Sequence, residues 1–297
     1  MGLNQDATRD PPPAPTFLYI DYGASPHIGR ELRYSLATLL AEFEAPHVVV
    51  YTDKPEIYAR LHTCVAPRPL GSDLARWTRE GAYNHRAKPC VLLDALRANE
   101  GLCVLLDTDS WIERGFAATL MRATANGPAM DQFEARDPYP AIAGFSASLP
   151  NVGAYVYSQD TAIMFNSGLI ATRDGAAIED AVALIDALWD ADRRRFNIEQ
   201  IAVTEAFRAH GLAIGETFPT FQHYFRRSLK RYMHWRIDAW IRRTPHFQPT
   251  RPCIAAPRNA VRVFNWVDRA TGRRISGDRG GGNHEMSFPR KRESRGS

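Results

Sequence analysis

The chain predicts an α/β domain on a largely parallel sheet. Between residues 16 and 110, apolar runs of strand length alternate with segments of helical periodicity, and polar residues collect just past the ends of those runs. A third feature is "LCVLL", residues 102–106, an uncharged stretch that reads as a strand buried on both faces of a sheet.

The elements follow in order. "TFLYIDYG" (16–23) is the first strand, and Leu32, Leu36, Leu39 and Phe43 recur at helical spacing after it. "HVVVYTD" (47–53) is the second strand and "CVAPRP" (64–69) a short third. A helix is expected from about Arg86 to Asn99, with Val91, Leu92, Ala95 and Leu96 inward and Pro89 in the first turn. In such sheets ligands bind beyond the carboxyl ends of the strands. Tyr22 and Gly23, Thr52 and Asp53, and Asp107 and Asp109 should therefore share one rim.

Asp107 and Asp109 pose the chemical question. One aspartate after a strand is explained by a turn, because its side chain accepts from a nearby backbone N–H. Two placed so closely raise each other's pKa unless a cation sits between them. The readings are a turn, or a hard divalent ion, Mg2+ or Mn2+, held through oxygen.

Composition bounds the rest. The 297 residues are 44% hydrophobic, enough for a core, and fit one domain over 16–270 between a disordered 1–15 and a disordered basic tail, 271–297. Cysteines 64, 90, 103 and 253 form no CxxC pair and read as reduced thiols of a cytosolic protein. The stretch "MGLNQDATRDPPPAPTF" lacks an apolar signal core, and no run approaches 18 apolar residues, so a soluble or at most peripheral protein is expected. The net charge of +4 equals the surplus of the tail alone, where seven Arg and Lys face three acids. The body is neutral, which argues against nucleic acid as partner. No G-x-G-x-x-G or Walker A sequence is present.

The segments "FLYIDYG", "VVVYTDKPE", "HRAK", "VLLDTDS", "AIMFNSGLIATR" and "FNIEQIAVTEAF", in that order over roughly residues 16–225, resemble nucleotide-sugar-dependent glycosyltransferases of the GT-A, Rossmann-like fold. The resemblance implies that Asp107 and Asp109 hold Mn2+ or Mg2+ on the diphosphate of a UDP- or GDP-sugar. It also implies that Phe165, Asn166, Ser167 and Gly168 line the donor sugar pocket, and that Glu199 with Gln200 faces the sugar or the acceptor, Glu199 being the candidate base if transfer inverts and Gln200 the neighbour of interest if it retains. Arg86 and Lys88 match basic residues that reach the donor, with a solvated helix end as the plain alternative. Tyr22, Gly23 and Asp53 join the donor rim. His223, after an expected strand "LAIGETF" (212–218), is the candidate third metal ligand or else a hydrogen-bonded structural histidine. "HYFRRSLKR" stands where the family commonly carries a glycine-and-lysine motif.

The acceptor is expected to be a saccharide, a lipid-linked group or a protein. Three other classes share parts of the pattern: a haloacid-dehalogenase-type phosphatase, a nucleotidyltransferase and a non-catalytic nucleotide-sugar-binding protein. Residues 126–160, polar and rich in Gly, Pro and Ser, are expected to form an acceptor-side excursion. In residues 226–243 seven basic residues accompany Asp238, and Leu229, Met233, Ile237, Trp240 and Ile241 repeat at helical spacing. Either this stripe packs on the domain, or the helix rests on an anionic membrane and places a cytoplasmic protein on the inner membrane face.

Overall fold

A computed structural model describes residues 14–252 except 24, 137, 225 and 226, and the side chains of 227 and 228 are also outside the description. The amino-terminal stretch through residue 13, Cys253 and the basic tail lie outside the described residues. The strands are β1 (Thr16–Asp21), β2 (His47–Thr52), β3 (Val65–Pro69), β4 (Cys103–Leu106), β5 (Ser110–Ile112), β6 (Ala129–Met130), β7 (Phe133–Arg136), β8 (Ser146–Leu149), β9 (Gly153–Val156), β10 (Ile163–Phe165), β11 (Leu169–Thr172), β12 (Gly215–Glu216) and β13 (Phe221–His223). The helices are α1 (Pro26–Glu42), α2 (Pro55–Tyr58), α3 (Asp73–Trp77), α4 (Ala87–Ala98), α5 (Phe116–Ala123), α6 (Gly175–Asp190), α7 (Ile198–Ala209) and α8 (Arg227–Arg243).

Seven strands form the central sheet in the order β12-β6-β11-β4-β1-β2-β3. β1 pairs in parallel with both β2 and β4, and β2 with β3, so these four strands end on one edge. β11 runs antiparallel to β4 and to β6, and β6 is parallel to β12. The class is mixed α/β with a mostly parallel sheet flanked by helices.

Alternation along the strands builds a core on each face. Phe17, Tyr19, Val104 and Leu106 pack with Leu32, Leu36 and Leu39 of α1. Leu18, Cys103, Leu105 and Ile170 pack with Val91, Leu92 and Ala95 of α4, Ile178 of α6 and Phe207 of α7. Full burial of both faces explains why the strand before Asp107 carries no charge. Cys90 and Cys103 are buried free thiols, and burial pushes each up to about 11.

Two regions differ from the sequence reading. The expected strand at 212–218 shrinks to the two residues of β12, which pair with the two residues of β6, and Gly215 approaches α5 so closely that a Cβ there would lie 2.2 Å from the Ala123 carbonyl oxygen. Residues 126–160 are not all excursion: β6 enters the central sheet, and Tyr139, Ile142, Leu149, Tyr155 and Tyr157 build a third core with Leu184, Ile185 and Leu188 of α6. Those aromatic and aliphatic residues are spread among Gly, Pro and Ser, which hides their common burial.

The stripe on α8 packs on the domain. Tyr232, Met233, Ile237 and Trp240 cluster with Tyr34 and Ala37 of α1 and with Trp111 and Tyr224. Arg30 of α1 pairs with Asp238 at 2.6 Å, so α8 is fastened to α1 by charge as well as by apolar burial. Trp235 stays outward, 57% exposed, with the Arg236 guanidinium 5.9 Å from its ring centre. Among the described residues no helix is long and apolar enough to cross a membrane.

Candidate active site

Strand pairing explains why distant residues meet at the end of β4. The chain leaves β4 at Leu106, and the Asp107 N–H donates to the Gly168 carbonyl at 2.8 Å. Because β11 runs antiparallel to β4, with Leu169 opposite Leu106, the Asn166–Gly168 turn is delivered beside Asp107. The β5–β13 ribbon sets His223 opposite Ser110, and the Tyr224 N–H donates to the Asp109 carbonyl at 3.0 Å. Two ladders thus bring His223 and the Asn166–Gly168 turn to the acid pair.

There Asp107, Asp109 and His223 each present a ligand atom, all within 4.8 Å of one another. His223 Nε2 lies 3.3 Å from Asp109 Oδ1 and 3.5 Å from Asp107 Oδ2. Each aspartate also meets a lysine: Lys88 Nζ donates to Asp107 at 2.7 Å, and Lys230 Nζ donates to Asp109 at 2.8 Å. Lys88 reaches Glu199 as well, at 3.4 Å, and the Ser167 hydroxyl donates to that carboxylate. Lys230 lies 3.8 Å from Glu31, which also meets His234 Nε2 at 2.6 Å.

The electrostatics follow from burial in a charged cluster. Burial acts to raise the Asp109 carboxyl, but the hydrogen bond and charge of His223, with the charge of Lys230, hold it far below the ordinary range. Burial acts to lower His223, and Asp109 and Asp107 outweigh it, so the imidazole is raised. Lys88 and Lys230 are raised in the same way, by Asp107 with Glu199 and by Asp109 with Glu31. Asp131, buried 3.9 Å from His223 Nδ1, is pushed up to about 7, mainly by burial.

A hydrogen-bond chain orients the histidine. Asn166 Nδ2 donates to Glu134 Oε1 at 2.7 Å, and since a carboxylate only accepts, the amide cannot be turned round. Asn166 Oδ1 therefore accepts from the Gly168 N–H at 2.8 Å and from His223 Nδ1 at 3.1 Å. With Nδ1 carrying a proton, a neutral His223 aims the lone pair of Nε2 at the aspartates, the arrangement that outer partners impose on metal-binding histidines. Gly168 makes room for the ring, because a Cβ there would lie 2.4 Å from His223 Nδ1.

Two carboxylate oxygens with one imidazole nitrogen can hold a divalent metal ion. Four carboxylates, Asp107, Asp109, Glu199 and Glu31, stand against two lysines, Lys88 and Lys230, a deficit of positive charge that His223 offsets only when protonated. The donor set and this deficit fit a divalent cation.

The other expected site residues lie on the same edge with varied partners. The Gly23 N–H donates to Asp53 Oδ2 at 3.0 Å, and Lys54 Nζ donates to the Gly23 carbonyl. The Tyr22 hydroxyl donates to the Asn84 carbonyl at 3.3 Å, and burial pushes it up to about 12. Arg86 is directed elsewhere, into Asp186 of α6 through two contacts of 2.8 and 2.7 Å. Glu199 is in the cluster but only 2% exposed. Gln200 Nε2 donates to Glu134 Oε2 at 3.0 Å.

Sequence reasoning missed Lys230, Glu134, Glu31 and Asp131. Lys230 sits in a run of basic residues that reads as a surface face, and only its contact with Asp109 sets it apart. Asp131 and Glu134 sit in "DQFEAR", which carries no motif.

No family model and no curated protein matches the chain. Among solved structures, the apo form of mouse xyloside xylosyltransferase 1 is similar at a TM-score of 0.40 and 14% identity, covering 67% of this chain and 83% of that one. At that level the two need share no more than a general arrangement of sheet and helices.

Proposed function

We infer that this chain is a metal-dependent glycosyltransferase of the GT-A type, moving a sugar from a UDP- or GDP-sugar to a hydroxyl acceptor. One observation carries the reading: Asp107 and Asp109, with His223 from far along the sequence, present oxygen and nitrogen ligands at the carboxyl edge of the parallel strands, between two partly buried lysines. Asp107, Asp109 and His223 would hold Mn2+ or Mg2+. When bound, the ion supplies Lewis-acid stabilisation of the charge that develops on a leaving diphosphate.

The chain's own residues do the remainder. Lys88 and Lys230 bring two fixed positive charges to the place where diphosphate oxygens would lie, and fixed charges of this kind need little reorganisation as the reaction proceeds. Glu199 and the Ser167 hydroxyl hold Lys88. Asn166 and Gly168 keep His223 in place, and the buried turn they form with Ser167 would back the sugar pocket. Tyr22, Gly23 and Asp53, at the ends of β1 and β2, supply the nucleotide side of the pocket. Arg86 supports this region from behind by joining the start of α4 to α6. The acceptor is a saccharide, a lipid-linked group or a protein. Contact of a cytoplasmic protein with a membrane would fall to the outward side of α8, at Trp235, Arg242 and Arg243, because the apolar stripe is buried.

The test is Asp107→Asn and Asp109→Asn. Both should keep the wild-type far-UV circular dichroism, lose the manganese-dependent thermal stabilisation by UDP and GDP, and lose release of free sugar from UDP- and GDP-hexoses. Unchanged manganese and nucleotide binding in both variants would remove the metal reading. Tight donor binding without turnover in the wild type would favour a binding protein.

A further inference from the structure

A carboxylate outside the metal cluster is held with more structure than a surface residue needs. Glu134 is an exposed residue of β7. In the β7–β10 ladder Met164 faces Ala135 and Phe165 faces Phe133, so Glu134 is the extra residue of a bulge. Bulges of this kind re-aim a side chain and gather next to active sites. Here the two carboxylate oxygens accept from two different amides, Oε1 from Asn166 at 2.7 Å and Oε2 from Gln200 at 3.0 Å.

Those clamps tie Glu134 to the site. Asn166 is buried, and its other amide atom holds both the Gly168 N–H and His223 Nδ1. The carboxylate is therefore separated from the His223 ring by one amide group and two hydrogen bonds. Gln200 follows Glu199, the buried partner of Lys88. Each oxygen keeps a lone pair after accepting one hydrogen bond, so the group can still receive a proton. Glu199 is 2% exposed and engaged by Lys88 and Ser167, which leaves Glu134 the more accessible of the two carboxylates.

We propose that Glu134 is the base of the transfer: it takes the proton from the attacking hydroxyl as that oxygen bonds to the anomeric carbon. The bond from that carbon to the diphosphate oxygen breaks with its electron pair on the departing nucleoside diphosphate. The proposal rests on the glycosyltransferase reading. Displacement by an external hydroxyl on the face opposite the leaving group inverts the anomeric configuration, so the product is the inverted glycoside. The amide clamps fix the direction of the carboxylate, which proton transfer in the transition state requires.

The experiment compares wild type, Glu134→Gln and Glu134→Ala in manganese with UDP- and GDP-hexoses, water or azide being the acceptor. Nucleoside diphosphate release, the sugar product and thermal stabilisation by manganese with UDP are measured. In both variants hydrolysis should fall by about 100-fold or more, the scale of a lost general base, while stabilisation by manganese with UDP falls far less than turnover, by what the weakened hold on Asn166 costs. Azide has no proton to give up, so it should restore release in Glu134→Ala and yield the inverted glycosyl azide. Hydrolysis near the wild-type rate in Glu134→Gln overturns the proposal and leaves the transferase standing. Loss of manganese affinity together with turnover, without azide rescue, overturns it too and makes Glu134 a positioning residue acting through Asn166. A wild type inert toward every donor overturns the transferase reading and this proposal with it.

Discussion

Gly168→Ala tests the site through a residue with no functional group. The Cβ it adds would lie 2.4 Å from His223 Nδ1, 2.9 Å from Cγ of the same ring and 3.0 Å from Asn166 Oδ1, whereas ordinary contact starts at 3.4 Å. The imidazole must therefore retreat by about 1 Å, several times the ~0.2 Å over which metal–ligand distances are held. The retreat also lengthens the Asn166 bond that sets the ring's tautomer. Losing an outer partner alone costs about 10–100-fold in metal affinity, so displacement of the ligand should cost at least that. Overpacking by one methyl in a buried turn adds about 1–3 kcal/mol of destabilisation, a fall in Tm of a few degrees for a domain of this size. Titration calorimetry with Mn2+ on wild type, Gly168→Ala and a Gly175→Ala control measures the effect. Gly175 opens α6 with no atom within 4 Å of the added Cβ, and its variant should bind manganese like wild type. Wild-type manganese affinity in Gly168→Ala would refute the placement of His223 as a ligand.

Two further outcomes follow from charge and burial. His223 is raised above the ordinary imidazole value of about 6.5, so its protonation stabilises the metal-free fold fully below that value, and the contribution is lost as pH rises through the folded pKa. Metal needs the unprotonated Nε2, so the metal-free Tm should fall with rising pH while stabilisation by manganese grows; His223→Asn should flatten both trends in thermal scans between pH 6 and 9. The buried stripe of α8 leaves Trp235 and a few cations outward, so sedimentation with anionic vesicles should be weak at low salt and absent at about 0.15 M, where surface charge is screened within ~8 Å. Firm binding at that ionic strength would show that α8 leaves α1.

The sheet was legible because its strands are buried on both faces. Burial on two faces demands uninterrupted apolar runs, and helical spacing in α1 and α4 supplied the layers between them. Asp107 and Asp109 were legible for the same reason, since carboxylates stand out at the end of such a run. The short ribbons were not. β12 and β13 have two and three residues, too few for any pattern to repeat, and their places come from Gly215 against α5 and from pairing with β5.

Local pattern along the chain, then, sufficed for the layered α/β class, for the rim where β1, β2 and β4 end, and for the acid pair on that rim, because each depends on hydrophobic period and chain direction over a few neighbouring residues. Which charges face one another was decided only by tertiary packing. Lys230 reaches Asp109 because α8 lies on α1, Arg86 goes to Asp186 because α6 crosses α4, and Glu134 meets Asn166 because a bulge turns it there. Contacts between residues 30 to 120 positions apart depend on how helices and strands dock, and a charged side chain in a run of like residues carries no mark of the partner it will find.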